Sequence, residues 1–170
     1  AKSCEIEFQN LFFFAALVAV HAAQRDDLAH DFHIIAGALG FGIDFLDVIA
    51  NRTLFFFQTL DTLEEKLSRQ RYLCGPRQTE ADWRLFPNLV RFDPISYQGY
   101  KCNLRRIEDY PNLSNYLRDL WQTPGIADVC DIEGMKRGVF GPAGPIKSNG
   151  IIPLGPWIDH ARPHDRGRFG

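Results

Sequence analysis

From residue 54 onward, apolar positions recur with helical spacing. Phe56, Leu60, Leu63 and Leu67 fall at i, i+4, i+7 and i+11, and Glu64, Glu65, Lys66, Arg69 and Gln70 fill the other side. This is one apolar stripe on a helix of about four to five turns, and Gly75-Pro76 supplies its stop signal. The next segment, Thr79-Glu80-Ala81-Asp82, is a capping box with Asp in its third position after the cap. The Thr79 side chain is placed to accept from the Asp82 N–H, and the Asp82 carboxylate to accept from the Thr79 N–H. Such a cap is worth about 1 kcal/mol. Ala81, Leu85 and Leu89 mark the buried side of a helix running to Arg91, which Pro87 should kink.

Asp109-Tyr110-Pro111 opens another helix, with Pro at the first helical position and a stripe of Leu113, Leu117, Leu120 and Trp121. Thr123-Pro124 starts a fourth, with Ile126, Val129, Cys130 and Met135 turned inward. After Phe140, repeated Gly and Pro remove all periodicity, so the chain from about residue 141 reads as an extended coil tail. Earlier in the chain, Leu28, Phe32, Ile35 and Leu39 predict a helix near 26–39 that Gly37, Gly40 and Gly42 weaken. No window shows strand alternation. The fold class is all-α.

Length and charge narrow the function. The chain has 170 residues with 45% hydrophobic content and a net charge of −2. That suits one domain with a real core, and it offers no one-signed field to attract nucleic acid or anionic lipid. The apolar run "LFFFAALVAV" at residues 11–20 is too short to span a bilayer and lacks the basic flank of a secretory leader, so it reads as a buried helix. Cys4, Cys74, Cys102 and Cys130 stand 28 to 70 residues apart, with no Cys-x-x-Cys pair, which argues against a zinc site or a redox dithiol. Free thiols in a reducing compartment, the cytoplasm, are expected.

An activated thiol needs a helix N-terminus or a basic partner. Cys74 follows a helix C-terminus, where the dipole opposes a thiolate, so it reads as packing, as do Cys102 and Cys130. His30 and His33 share a helix face, but no third ligand accompanies them and no metal is expected. His160 and His164, split by Pro163 in a polar tail, read as solvated. "KCNLRR" at 101–106 is a short basic cluster beside Tyr97 and Tyr100, suited to an anionic ligand or simply to solvent. Residue physics alone yields a helical domain with no catalytic constellation.

The segments "LEEKLSRQRYLCG", "TEADWRLFPNLVRFD", "YKCNLRRIEDYPNLSNYLRDLWQTPGIADV" and "NGIIPLGP" stand in order between Leu63 and Gly170. Together they resemble the C-terminal helical domain of the glutathionyl-hydroquinone reductases, an omega-like (Xi) branch of the glutathione transferases. The resemblance implies a glutathione transferase C-terminal-like helical bundle over 54–170, including the tail, and leaves 1–53 unassigned. It implies glutathione as co-substrate, a small aromatic substrate and a homodimer. In the family, a thioredoxin-like N-terminal domain carries a nucleophilic cysteine. Its thiolate attacks the sulfur of a glutathionyl-hydroquinone, hydroquinone leaves, and a second glutathione resolves the mixed disulfide.

None of the four cysteines here matches that nucleophile, and residues 1–53 match no thioredoxin-like domain. Cys102 matches a structural Lys-Cys-Asn position. Where the family reads Lys-Arg-His-Tyr-Tyr, this chain has Lys136-Arg-Gly-Val-Phe140, so a tyrosine hydroxyl thought to meet the substrate's phenolic oxygen is missing. Such a lost bond costs about 1–3 kcal/mol. The resemblance nominates Tyr97 and Phe140 as pocket residues, with Arg91 and Lys101 as polar members. The expected role is the substrate-pocket and dimerisation half of a glutathione-dependent reductase, seen as a truncated chain inactive by itself. The alternative is a non-catalytic binding or dimerisation module.

Overall fold

The computed structural model describes residues 45–169. The apolar run at 11–20, the helix near 26–39, Cys4, His21, His30 and His33 lie outside the described residues. The chain divides into two compact units after Thr62, within the span of a helix α1 that runs Phe45–Arg69. On the first unit's part of α1, Phe56, Phe57 and Leu60 are buried, and the two phenylalanine rings meet edge to face at 5.4 Å.

The second unit is helical, and among its described residues no strand forms. α1 ends at Arg69, with Lys66 and Arg69 in its last turn, where the negative end of the helix dipole favours cations. The chain then makes a tight turn. Tyr72 N–H reaches the Gly75 carbonyl at 3.0 Å and Gly75 N–H the Tyr72 carbonyl at 3.2 Å. Gly75 has φ +120°, open to residues without a Cβ. The turn sends Leu73 inward and leaves Cys74 exposed. The packing role expected for Cys74 is therefore corrected.

α2 spans Glu80–Arg91. Its capping box is built around Asp82, which is 0% exposed. One carboxylate oxygen accepts the Thr79 N–H at 2.8 Å and the Thr79 hydroxyl at 2.9 Å. The other accepts the Leu73 N–H at 2.9 Å and the Tyr116 hydroxyl at 2.8 Å. The capping box expected from the sequence is present, and the Thr79 hydroxyl in addition donates to Asp82.

Leu85 and Leu89 are buried as the spacing predicts. Pro87 is carried inside the helix, and the rod does not stop at Arg91. It widens into a π-helical turn Phe92–Ser96, where Tyr97 N–H bonds the Phe92 carbonyl five residues back. It then closes as a short α-turn, α3, over Tyr97–Gly99. Pro94 has no N–H for the Val90 carbonyl, which is a local reason for the helix to change register here.

A 3-10 turn Ile107–Asp109 leads into α4, Pro111–Trp121, with Pro111 in the first turn as expected. Leu113, Leu117 and Leu120 are buried, each contributing about 1.5–3 kcal/mol. Glu64 from α1 caps α4, accepting from the Asn112 N–H at 2.8 Å, the Asn112 side-chain amide at 2.7 Å and the Leu113 N–H at 2.8 Å. The anticipated fourth helix is two pieces, α5 over Ile126–Val129 and α6 over Ile132–Phe140. Asp131 breaks the rod by capping α6, taking the Gly134 N–H at 2.8 Å. Val129, expected inside, is 75% exposed, because α5 ends after a single turn.

From Gly141 the tail has no regular structure until a 3-10 turn over Arg166–Phe169, but it is not a free polar coil. Arg166 is buried. Its guanidinium donates to the carbonyls of Leu67 at 2.8 Å and Arg71 at 2.7 Å, and also to that of Gln70, closing the open end of α1. His160 is buried as well and stacks on Trp121, and His164 Nε2 stands 3.3 Å from Asp119. The solvated reading of both histidines is therefore corrected: Trp121 gives one a flat apolar face, and Asp119 gives the other a partner.

Replacing Asp82 by Ala should strand the Leu73 and Thr79 N–H groups and the Tyr116 hydroxyl. At about 1–3 kcal/mol for each buried orphan, the expected loss is at least about 3 kcal/mol in urea unfolding, against about 1 kcal/mol for Tyr116→Phe. A loss below about 1 kcal/mol for Asp82→Ala would contradict this role.

Candidate functional site

Of the four nominated residues, Phe140 lies where α6 ends against Gly99 of α3, the short turn that Tyr97 opens. Gly99 closes α3, and a Cβ there would lie 2.3 Å from Ile146 Cδ1 and 3.0 Å from two ring atoms of Phe140. The missing side chain lets the buried Phe140 ring and Ile146 lie directly on the backbone. Phe140 is held from behind by Ser148, whose hydroxyl donates to the Phe140 carbonyl at 2.6 Å, and by the Ile146 N–H on the Val139 carbonyl at 3.3 Å. Tyr97 and Tyr100 are half-buried on the same short segment. Burial raises the Tyr100 hydroxyl above its ordinary value, so it stays a proton donor at neutral pH.

Two polar side chains fasten the tail to this wedge. Gln98 donates to the Gly155 carbonyl. Lys136, only 2% exposed, donates to the Leu154 carbonyl at 2.9 Å and pairs with Glu133 at 2.8 Å. Its ammonium also stands 5.8 Å from the centre of the Trp157 ring. Trp157 itself is 83% exposed. The "NGIIPLGP" segment is therefore strapped beside Phe140 and Gly99.

Phe140 thus lies against Gly99, two residues along the backbone from Tyr97. Arg91 and Lys101 are not drawn in. Arg91 is exposed and donates Nε to the Pro87 carbonyl of its own helix at 2.8 Å. Lys101 is exposed in a left-handed turn, φ 58°. Sequence reasoning missed Lys136, Gln98, Gly99 and Ile146. Lys136 did carry a signal, because it opens the motif in which the absent tyrosine was noted.

Two of this unit's three thiols, Cys102 and Cys130, are poorly placed for attack. Burial pushes Cys102 up to about 11, and its thiol lies 3.8 Å from the Tyr100 carbonyl. Its packing role stands. Burial raises Cys130 too. Among the described residues no group of three or more His, Cys, Asp or Glu side chains is arranged to hold a metal ion, and no helix is long and apolar enough to cross a membrane.

Asp93 fixes the π-turn that carries Tyr97. It is buried and accepts the Ile107 N–H at 2.7 Å and the Glu108 N–H at 3.2 Å. Burial raises its carboxyl to about 6, partly offset by those two bonds.

This arrangement matches known proteins. Residues 56–119 fit the model of the glutathione S-transferase C-terminal domain. The chain is 45% identical over 115 residues to a glutathionyl-hydroquinone reductase of Escherichia coli K12, covering 67% of this chain and 35% of that protein. It is 47% identical over 100 residues to the glutathionyl-hydroquinone reductase of Sphingobium chlorophenolicum, covering 59% of this chain and 32% of that one. Among solved structures, a glutathione-bound transferase homologue from Escherichia coli K-12 superposes with a TM-score of 0.76 at 31% identity, over 96% of this chain and 48% of that chain. A putative glutathione S-transferase from Corynebacterium glutamicum gives 0.79 at 30%, over 99% and 50%.

The helical region is a glutathione transferase C-terminal domain. Within that class, the chain belongs to the glutathionyl-hydroquinone reductase family. It spans about a third of the length of the curated relatives it matches.

Asp93 makes stability depend on pH. Its folded value of about 6 lies above the ordinary 3.8, so its contribution is fully present below 3.8 and lost as pH rises through 6. The whole change is about 3 kcal/mol, of which about 2 kcal/mol falls between pH 4 and 7. In urea unfolding across that range, wild type should lose about 2 kcal/mol relative to Asp93→Asn. A difference between the two that stays constant with pH would refute it.

Proposed function

We propose that this chain forms the substrate wall of a glutathione-dependent reductase that removes glutathione from glutathionyl-hydroquinones. The observation that carries the reading is the 45% identity over 115 residues with a reductase of that name. The half-buried Ile146, backed by the covered Phe140 ring on Gly99, offers apolar surface to one aromatic ring, with the half-buried Tyr97 two residues before Gly99. Glutathione is the co-substrate.

The chemistry belongs to a thioredoxin-like domain acting with this one. A thiolate there attacks the sulfur of the glutathionyl-hydroquinone, the aryl C–S bond breaks, and the ring carbon takes a proton to release hydroquinone. The resulting enzyme–glutathione disulfide is reduced by a second glutathione, giving glutathione disulfide.

The full chain should bind an S-glutathionyl-hydroquinone without turning it over in the presence of glutathione. Phe140→Ala should weaken that binding about tenfold, the equivalent of part of one buried ring, in isothermal titration calorimetry. Turnover by the pure chain, or binding unchanged by the substitution, would overturn the assignment.

A second reading, a binding or dimerisation module, is favoured by one observation. Ile151, Leu154 and Trp157 expose large apolar side chains along the same stretch of tail, a pattern that marks association surfaces. The occupant we assign is a second copy of the chain. Sedimentation should show a dimer that Leu154→Glu dissociates, and a wild-type monomer at tens of micromolar would exclude this.

A further inference from the structure

The far end of the tail is held against α4 by a small set of contacts. Gln122 donates its side-chain amide to the carbonyls of His160 at 2.9 Å and Arg162 at 2.8 Å. The His160 imidazole stacks on Trp121, with ring centres 4.5 Å apart and planes inclined by 26°. His160 is 8% exposed, and its Nδ1 is buried without a hydrogen-bond partner.

The charged groups around it come from each side. Arg118 on α4 opposes a positive ring, while Asp159 on the tail favours one. Arg118 lies 3.8 Å from Glu108 and has its own Nε buried without a partner. Asp119, also on α4, is engaged by Arg71 from the loop after α1 at 2.9 and 3.1 Å, and by His164 at 3.3 Å. Arg162 is exposed.

We propose that His160 is an acid-released latch: protonation of its ring detaches residues 158–164 from α4 while the helices remain folded. A neutral ring has one N–H, and a second proton makes both nitrogens donors. Nδ1 would then point an N–H into a buried place with no acceptor, and the ring would carry charge beside Arg118 without its hydration shell. The Trp121 face returns part of that cost as a cation–π contact. His164 faces Asp119 instead, at 3.3 Å.

Burial, and then Arg118, lower the docked ring from 6.5 to about 4. The docked tail therefore takes up a proton less readily than the free tail. Docking is intact above 6.5 and weakens as pH falls towards 4. The two values imply docking about 30-fold weaker near pH 5 than at neutrality.

Hydrogen–deuterium exchange on the full chain, with times rescaled for intrinsic exchange, tests this. Peptides from 158–164 should lose about 30-fold protection between about pH 7.5 and pH 5, while α4 keeps its own. In His160→Phe, which can stack but not charge, the same peptides should change less than about threefold. Equal protection of the wild type at both pH values, loss in the variant as large as in wild type, or opening of α4 together with the tail would each overturn the latch. If the variant fails to fold, NMR titration of the His160 ring in the wild type decides: a midpoint below about 5 supports it and one above about 6 overturns it.

Discussion

The carboxylate of Asp82 is the constraint on which the second unit depends. Two oxygens take four donors from three places: the turn after α1, the first residues of α2, and the middle of α4. A buried ionised group without partners would cost far more than a hydrogen bond returns. The site is therefore stable only when all its donors arrive together, and that requirement sets the positions of Leu73, Thr79 and Tyr116 at once. Burial, and then the neighbouring Asp82, raise the Tyr116 hydroxyl well above its ordinary value, which keeps it a donor to the carboxylate. Glu64 repeats the device on a smaller scale, fixing the start of α4 from α1.

With the helices placed, the tail needs a different kind of support. Ordering a residue of coil costs about 1–2 kcal/mol in backbone entropy, and the tail has no repeating ladder to offset it. What it has is a series of point anchors: Ser148 on the Phe140 carbonyl, Lys136 and Gln98 on the Leu154 and Gly155 carbonyls, Gln122 on the His160 and Arg162 carbonyls, and Arg166 on the end of α1. In all but the first, a helix side chain or a helix end meets a distant part of the tail. The tail is therefore only as ordered as the helices are correctly placed, and it follows Asp82 in the order of dependence.

Legibility in the sequence followed the range of each interaction. The apolar spacing of α1, α2 and α4, the Thr79–Asp82 box and the Pro111 start are local, and each was readable. The failures involve partners far along the chain. Nothing near His160 announces Trp121, and nothing near Asp82 announces Tyr116. Cys74 turned outward because a four-residue turn decided its direction, and Val129 because Asp131 restarted the helix. The π-turn at Phe92–Ser96 had a local cause in Pro94, but a missing donor does not say whether a helix stops or widens. For the site, the family motifs pointed to Tyr97 and Phe140, and Phe140 lies against Gly99, two residues along the backbone from Tyr97. The positive charge of Arg91 and Lys101 did not draw them in, because surface cations satisfy their own helix or solvent as readily as a pocket.

The same geometry says how selective such a wall can be. Val139 and Phe140 offer no hydroxyl, and the nearby ammonium of Lys136 already serves Glu133 and Leu154. On the proposed reading, a hydroquinone set against Ile146, with the covered Phe140 ring behind it, would be held by area and shape, and its phenolic oxygens would need partners from elsewhere. Apolar contact discriminates weakly between rings of similar size, by about 1–3 kcal/mol per methylene-sized difference, whereas a buried hydrogen bond rejects its absence much more strongly. On the proposed reading, loss of the tyrosine from the Lys136–Phe140 motif would shift this domain from reading a ring's oxygens towards reading its outline. The close approach of Phe140 and Ile146 to Gly99 is the feature that gives the outline its limits.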